Sequence, residues 1–573
     1  MIQKNISANG GLSRRSFIGA AAASAVAAAA FGMTACSNEG NTSDEARSFL
    51  PETWDYETDI AIVGYGGAGI SASITCEQEG LGDFIAFDAA PAGLEGGNSR
   101  TCGQLLFIPK TVEAAVKYQK ALNSPYVVED ELVQAWAENL CENFDWLEDL
   151  GADLKEYPAF SPEYPELCEN EEDAKDLTVW LAHGQMGNAA AWNVLSEQTS
   201  VPVENDRRVV RLIHDPQTKE VFGCIAVDSD GKEYNIKARK GVILSCGGME
   251  NDADLRNDFA PLNGTLNCMP IGTIYNRGDG VKMCMNIGAR LWHMSNMPTS
   301  EYVIKISSES PQDQAGYSFM KGNKAFINVG PDGTRFMNEE AGSLQRHGME
   351  SISGIFLETR FPQPAFMVFG QSMFDAAPLV PGPIASGYSS TAGWVEPMTN
   401  DELVEQGLMY KADTIEALAK QMMVDPAALS ETVTNYNNYC ADKKDPDFGR
   451  GEALVSTFAG ITNATNSANV SSVGEKVVVE AFDLEPIDGP TFYAIPIFPC
   501  LINTLGGPKR GTKNEVLDMS DQPIPRLYAC GELGEISPYL GNGGDNFSGA
   551  ISSGRCAARA VGALDSWETK KEA

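Results

Sequence analysis

Three observations predict an α/β fold whose first domain is discontinuous and carries an inserted α+β segment. A glycine-turn unit lies near the start, at 58–88. A second apolar strand ends in a glycine pair at 241–248. Strand and glycine patterns of the same kind return after 496, beyond a long stretch of different texture. In the first unit the apolar run Ile60–Val63 reads as a buried strand, and Gly64, Gly66 and Gly69 stand in G-x-G-x-x-G spacing. A helical segment follows from Ile70, then a second run, Phe84–Phe87, ending in Asp88. With a strand before it, a helix after it and an acid 24 residues beyond Gly64, the pattern predicts a dinucleotide site. Gly64 permits the tight turn, Gly66 lets the backbone approach a pyrophosphate, and Gly69 lets helix and strand pack closely. The pyrophosphate meets free N–H groups at the helix start, and Asp88 accepts from a ribose hydroxyl.

The elements then run in order. Gly96-Gly97-Asn98-Ser99 reads as a loop suited to a phosphate or a flavin ring. Helical spacing covers Val112–Leu122 and Glu129–Leu150, and 151–182 is acidic and irregular. Arg207–Ile213, Glu220–Asp228 and Glu233–Ala238 predict a small antiparallel sheet, and Gly241–Leu244 a separate buried strand before Gly247-Gly248. This return to a strand–Gly-Gly element favours a flavin. Asn276-Arg277-Gly278-Asp279-Gly280 opens a helix over Val281–Ile287. Residues 294–485 read as a cap, with a helical hairpin at Asp413–Tyr439. Residues 55–293 and 486–565 form the two parts of the first domain, and 566–573 a tail.

The net charge of −36 excludes nucleic acid and anionic membrane surfaces as natural partners. The thirteen cysteines include no C-x-x-C, and the four histidines no pair at ligand spacing, so no metal, iron–sulfur or haem site is expected. Residues 1–36 are an address: Ser13-Arg14-Arg15-Ser16-Phe17-Ile18 is a twin-arginine pattern before an Ala-rich run. Met33-Thr34-Ala35-Cys36 resembles a lipoprotein cleavage box, with plain cleavage nearby as the alternative, and 37–54 is a polar tether.

The chain resembles the fumarate reductase/succinate dehydrogenase flavoprotein family in its exported soluble branch. Beyond the stretches above, Arg335-Phe336-Met337-Asn338-Glu339, Lys411–Thr414, Pro446–Arg450, Gly506-Gly507 and Leu527–Glu532 carry the resemblance. It implies FAD in a Rossmann-type domain, a cap over the flavin, and hydride transfer between the flavin and a C=C bond. The implied FAD contacts are Gly64, Gly66, Gly67, Ala68, Gly69, Asp88, Asn98, Ser99, Gly103, Val210, Gly248, Asp279, Glu532 and Ser548. Asp88 stands where the family has Glu.

The departures restrict the substrate. Where the family's fumarate reductases carry histidines and arginines for two carboxylates, this chain has Met297-Pro298-Thr299, Asn503, Gly342-Ser343, Gly370–Phe374 and Leu540–Gly544. A dicarboxylate needs cationic partners, so fumarate and succinate are not expected. Tyr539-Leu540-Gly541-Asn542-Gly543-Gly544 resembles instead the ketosteroid-dehydrogenase loop, where the tyrosine hydroxyl and a glycine N–H hold a carbonyl. Packing beside the flavin is the alternative for this loop. That makes Tyr539 and Gly543 catalytic candidates, with Tyr388, Tyr302 and Glu339 for the proton; Glu339 can equally orient the cap through Arg335. The expected substrate is a small α,β-unsaturated carbonyl compound or enoate. Electrons come from an external donor, with a membrane quinol-linked cytochrome the natural one. Ketosteroid-type dehydrogenation and flavin binding without catalysis are the alternatives.

Overall fold

The computed structural model describes residues 49–158, 161–199, 203–260, 268–306, 314–316, 325–339, 349–352, 355–358, 362–380, 398–450, 454–456, 477–479 and 484–569. The chain begins as its glycine unit predicts. Strand β1 (Tyr56–Val63) turns into helix α1 (Gly67–Glu79), which leads to β2 (Phe84–Phe87). β1 and β2 pair in parallel, Ile60 opposite Phe84 through Val63 opposite Phe87. Both faces of β1 are buried. Ile60 and Ile62 pack under α1, whereas Ala61 and Val63 enter the apolar cluster on the other side. A strand covered on both faces reads as the continuous apolar run seen in the sequence.

β3 (Arg208–His214), β4 (Val221–Val227) and β5 (Glu233–Leu244) are antiparallel neighbours. The sequence separates Glu233–Ala238 from Gly241–Leu244; the structure makes them one twelve-residue strand. Glu233–Lys237 closes the antiparallel ribbon, while Ile236–Leu244 lies parallel to β1, Ile236 opposite Tyr56 and Gly241 opposite Ile60. Alternation in the first half and an apolar run in the second hide the continuity. Helix α2 (Asp279–Ile287) follows. The expected long helix over 129–150 divides into Asp130–Cys141 and Asn143–Asp149, and 151–182 contains strands Leu154–Tyr157 and Val179–Ala182.

A second, seven-stranded sheet is built from β6 (Thr299–Lys305), β7 (Phe326–Val329), β8 (Ala365–Gly370) and β9 (Phe492–Leu501), with Met269–Pro270, Gln314–Gly316 and Tyr410–Ala412. β9 is its axis and pairs with both β6 and β8. It therefore works in the second sheet, although its residues fall in the segment that the sequence assigns to the return into the first domain. Phe366 and Val368 of β8 face the hairpin Ile415–Met422/Pro426–Asp442, and Met367 and Phe369 face the opposite cluster. The chain then rejoins the first sheet through β10 (Pro523–Ala529), parallel to β5, and ends in helix α3 (Asp545–Gly562) packed on α1. β1, β5 and β10 thus run parallel and end together, and the crevice lies beyond their carboxyl ends.

Candidate functional site

The glycine turn forms the floor of that crevice. Gly64 has φ +96°, and a β-carbon there would lie 2.4 Å from the Ser245 carbonyl oxygen. A β-carbon on Gly69 would lie 2.0 Å from the Gly64 oxygen, so helix and strand touch through backbone. Gly66, by contrast, has nothing within 3.6 Å on its missing side chain, and it caps α1 with no side-chain hydrogen bond. The helix start is left open to an anion. The Gly67 N–H is the exception; it donates to Ser99 Oγ at 2.9 Å. Asp88 is buried at the end of β2, its two oxygens accepting from the Tyr65 and Ala90 N–H groups, and burial pushes its pKa up.

A cleft of about 1190 Å³ of non-atom space, part of it open to solvent, runs from this acid across the helix start. That is room for a ligand larger than a mononucleotide. Gly64, Gly66, Gly67, Ala68, Asp88, Asn98, Ser99, Asp279 and Glu532 line it. Gly69, Gly103, Val210, Gly248 and Ser548 do not. Gly69 serves the α1–β1 contact. The strand contact falls on Arg208 and Val209 and stops short of Val210. Gly248 is needed by its surroundings: a β-carbon there would lie 2.2 Å from Thr504 Oγ1 and 2.7 Å from Glu532 Oε1. Ser548 is fully buried on α3. Near Asp88, Arg208 pairs with Asp279 and donates to the Tyr275 carbonyl, and the Arg207 guanidinium stacks 4.0 Å from the Tyr234 ring. Arg207, Thr273 and Tyr275 line the cleft without any motif to announce them.

At the far end, Asn98 joins the walls. Its Nδ2 donates to Glu250 at 2.7 Å and Glu532 at 3.3 Å, and its Oδ1 accepts from the Thr273 N–H. Glu250 and Glu532 thus share the Asn98 amide. Burial raises both pKa values, and the neighbouring charge pushes Glu532 further up. Asn503, 4% exposed, lines the cleft with neither its amide oxygen nor its amide nitrogen partnered. Asn546 and Phe547, in the first turn of α3, complete this end.

The catalytic candidates are dispersed. Glu339 is buried inside the cap and takes four donors: Arg335 Nε and Nη2, the Asn328 N–H and Arg450. Arg335 also pairs with Asp445 at 2.8 Å. A carboxylate so saturated favours the alternative in which Glu339 orients the cap through Arg335 over the one in which it gives a proton. Tyr302 is fully buried in the second-sheet core. Tyr388 lies outside the described residues. Tyr539 is half-buried, its ring 5.6 Å from that of Tyr126. The Gly543 N–H donates to Glu163 at 2.7 Å, and Asn542 accepts from Tyr118 and the Glu163 N–H. The sequence gives no hint of Glu163. His293 stacks on Trp292, and burial lowers its pKa to about 4.

The cleft's glycine floor, its acid and its length fit FAD, and the family model for the FAD binding domain matches residues 59–541. The chain belongs to this family of FAD-dependent oxidoreductases. It is similar to digoxin reductase of Eggerthella lenta, at 26% identity over 97% of this chain and 98% of that one. Urocanate reductase of the same organism is 23% identical over 87% of this chain and 74% of its own. Among solved structures, 3-ketosteroid Δ1-dehydrogenase from Sterolibacterium denitrificans, in complex with 1,4-androstadiene-3,17-dione, has a TM-score of 0.65. It is 21% identical, covering 88% of this chain and 99% of that chain, and shares the fold. Bound FAD would rest its pyrophosphate on α1 and its adenosine ribose against Asp88, with Asn98, Ser99 and Glu532 toward the ring system.

Proposed function

We propose that this flavoprotein reduces the C=C bond of an uncharged or monoanionic α,β-unsaturated carbonyl compound or enoate, and not fumarate. The observation that supports this most is Asn503. A buried neutral amide with an unused donor and an unused acceptor faces the far end of the cleft. A carbonyl or hydroxyl can complete it, whereas a dicarboxylate would meet no cation there. The only cations among the described cleft residues are Arg207 and Arg208, both engaged near Asp88. The names of the relatives, digoxin and urocanate reductases, agree with an activated C=C as acceptor.

In this reading the flavin supplies hydride to the alkene carbon. Asn503 holds the substrate carbonyl side, and the Tyr539 hydroxyl offers it a neutral donor. Charge building on that oxygen would be met by these two neutral donors. The Gly543 N–H can join them once Glu163 turns away. Tyr388 is the proposed proton donor. The cap is assigned to 294–485, with β9 completing its sheet from the later flavin-domain part, 486–565, and 55–293 as the earlier part. Export by the twin-arginine signal, a lipid at Cys36, and electrons from a membrane quinol-linked cytochrome complete a respiratory role. The similarity to ketosteroid dehydrogenases keeps oxidation of a saturated ketone as the second reading.

The test is anaerobic reoxidation of the dithionite-reduced protein, followed at the flavin band. The acceptor panel holds fumarate, urocanate, cinnamates, phenolic enoates and enone steroids. Rapid reoxidation by an enone or enoate with fumarate inert supports the proposal. Reoxidation by fumarate sinks it. Inertness throughout, with oxidised protein bleached by a saturated ketosteroid, turns the reaction round, and no response to any of these leaves flavin binding without catalysis.

A further inference from the structure

Helix α3 and the turn at Gly531–Ile536 separate the cleft from a second cavity. Trp136, Trp292, Arg510, Asn514 and Glu535 are among the residues that line it. The cavity has about 50 Å³ open to water centres, room for roughly three or four waters. It is built to hold them. Glu535 is 4% exposed, and its Oε2 has no partner. The indole N–H groups of Trp136 and Trp292 also lack an acceptor. Buried donors and acceptors left open on one space call for a polar occupant.

Carboxyls lie between this cavity and the cleft. Glu535 faces Asp545 across Gly549; a β-carbon on that glycine would lie 3.0 Å from Glu535 Oε1 and 3.7 Å from Asp545 Oδ1. Asp545 opens α3, one residue before Asn546 at the cleft. Glu532 stands three residues before Glu535 on the same turn, feels its charge, lines the cleft and shares the Asn98 amide with Glu250. The charge facing Glu535 is Arg510, from the hairpin opposite; His293, kept neutral by burial, has Nδ1 2.7 Å from the Glu535 carbonyl oxygen. Burial pushes the Glu535 pKa up to about 7 and holds Asp545 well above the usual carboxylate range, so both can carry protons.

We propose that this cavity holds ordered water and is the proton entrance to the flavin cleft, with Glu535 its outer gate and the Glu532–Glu250 pair its inner one. Adding two electrons from an external donor to a bound flavin takes up a proton. Glu535 passes its proton inward, cavity water reprotonates it, and solvent replaces that proton, so the carboxyls end unchanged. No assignment of the organic substrate is needed; the proposal rests only on the flavin.

The experiment is stopped-flow reduction of the flavin-loaded protein by a viologen radical cation, a one-electron donor that releases no proton, without organic acceptor, in weak buffer with a pH-indicator dye. In the native protein, proton uptake should keep pace with bleaching. In Glu535→Gln, with unchanged flavin content, uptake should lag by tenfold or more. Uptake as fast as in the native protein overturns the proposal. A second readout needs no variant. The native infrared difference spectrum on reduction should contain a protonated-carboxyl band that shifts in D₂O, and a spectrum without one overturns the proposal even if Glu535→Gln fails to fold. Because no substrate takes part, failure here is distinct from failure of the reductase reading.

Discussion

At the scale of single residues, the side chains left unsatisfied separate function from stability. Asn503 hides two polar atoms with no partner, a cost of about 1–3 kcal/mol for a buried group of this kind. Asn503→Leu should therefore raise the melting temperature of the flavin-free protein while lowering kcat/KM by roughly tenfold to a hundredfold. Calorimetry alongside steady-state rates would check both signs; a fall in both would make Asn503 structural. Glu339 predicts the opposite split. Removing its charge strands Arg335 and Arg450 in a buried network, so Glu339→Gln should cost about 3–5 kcal/mol and leave the pH–rate profile in place. A displaced profile would restore it as a proton donor. For Tyr539→Phe, turnover should drop by roughly tenfold to a thousandfold if the hydroxyl supports the carbonyl, with flavin content held; an unchanged rate would reduce the tyrosine to a packing partner of Tyr126.

At the scale of elements, the site depends on how closely backbone meets backbone. α1 reaches β1 only because Gly69 has no side chain. A methyl group there would sit 2.0 Å from the Gly64 oxygen. Gly69→Ala should push the helix off the strand, cost about 1–3 kcal/mol, and release FAD. Flavin fluorescence against denaturant would show this as a lower midpoint and a lower flavin-to-protein ratio. The sequence reads this element well, because spacing alone announces it. It reads β5 poorly, since one strand changes from an antiparallel ribbon to the centre of a parallel sheet partway along. β9 escapes for a related reason: its partners β6 and β8 lie far away in the chain, and an apolar run does not name the sheet it joins.

At the scale of the whole molecule, buried ionisable groups set how stability follows pH. The Glu535 pKa is raised from 4.5 to about 7. Between these values the unfolded chain has released a proton that the folded protein keeps, so this group withdraws stability as pH rises through that window. His293 acts in the other direction: lowered from 6.5 to about 4, it withdraws stability as pH falls between those values. Glu535→Gln removes the first effect only. Its denaturation midpoint should pull ahead of the native protein's as pH climbs from about 4.5 to 7 and hold that lead above. A difference that stays flat across the range would mean Glu535 is not buried as an acid.

The sequence by itself determined the dinucleotide turn and the flavin. These are written in spacing and residue type, which survive without knowledge of neighbours. Only the tertiary structure decided what each polar group faces. It brought Asn98 between two acids 152 and 434 residues away in sequence. It sealed Glu339 inside the cap, left Asn503 open on the cleft, and set Glu535 on a second cavity. Burial and partnership belong to the packed whole, because a carboxyl or an amide has its chemistry fixed by whichever distant segments close around it.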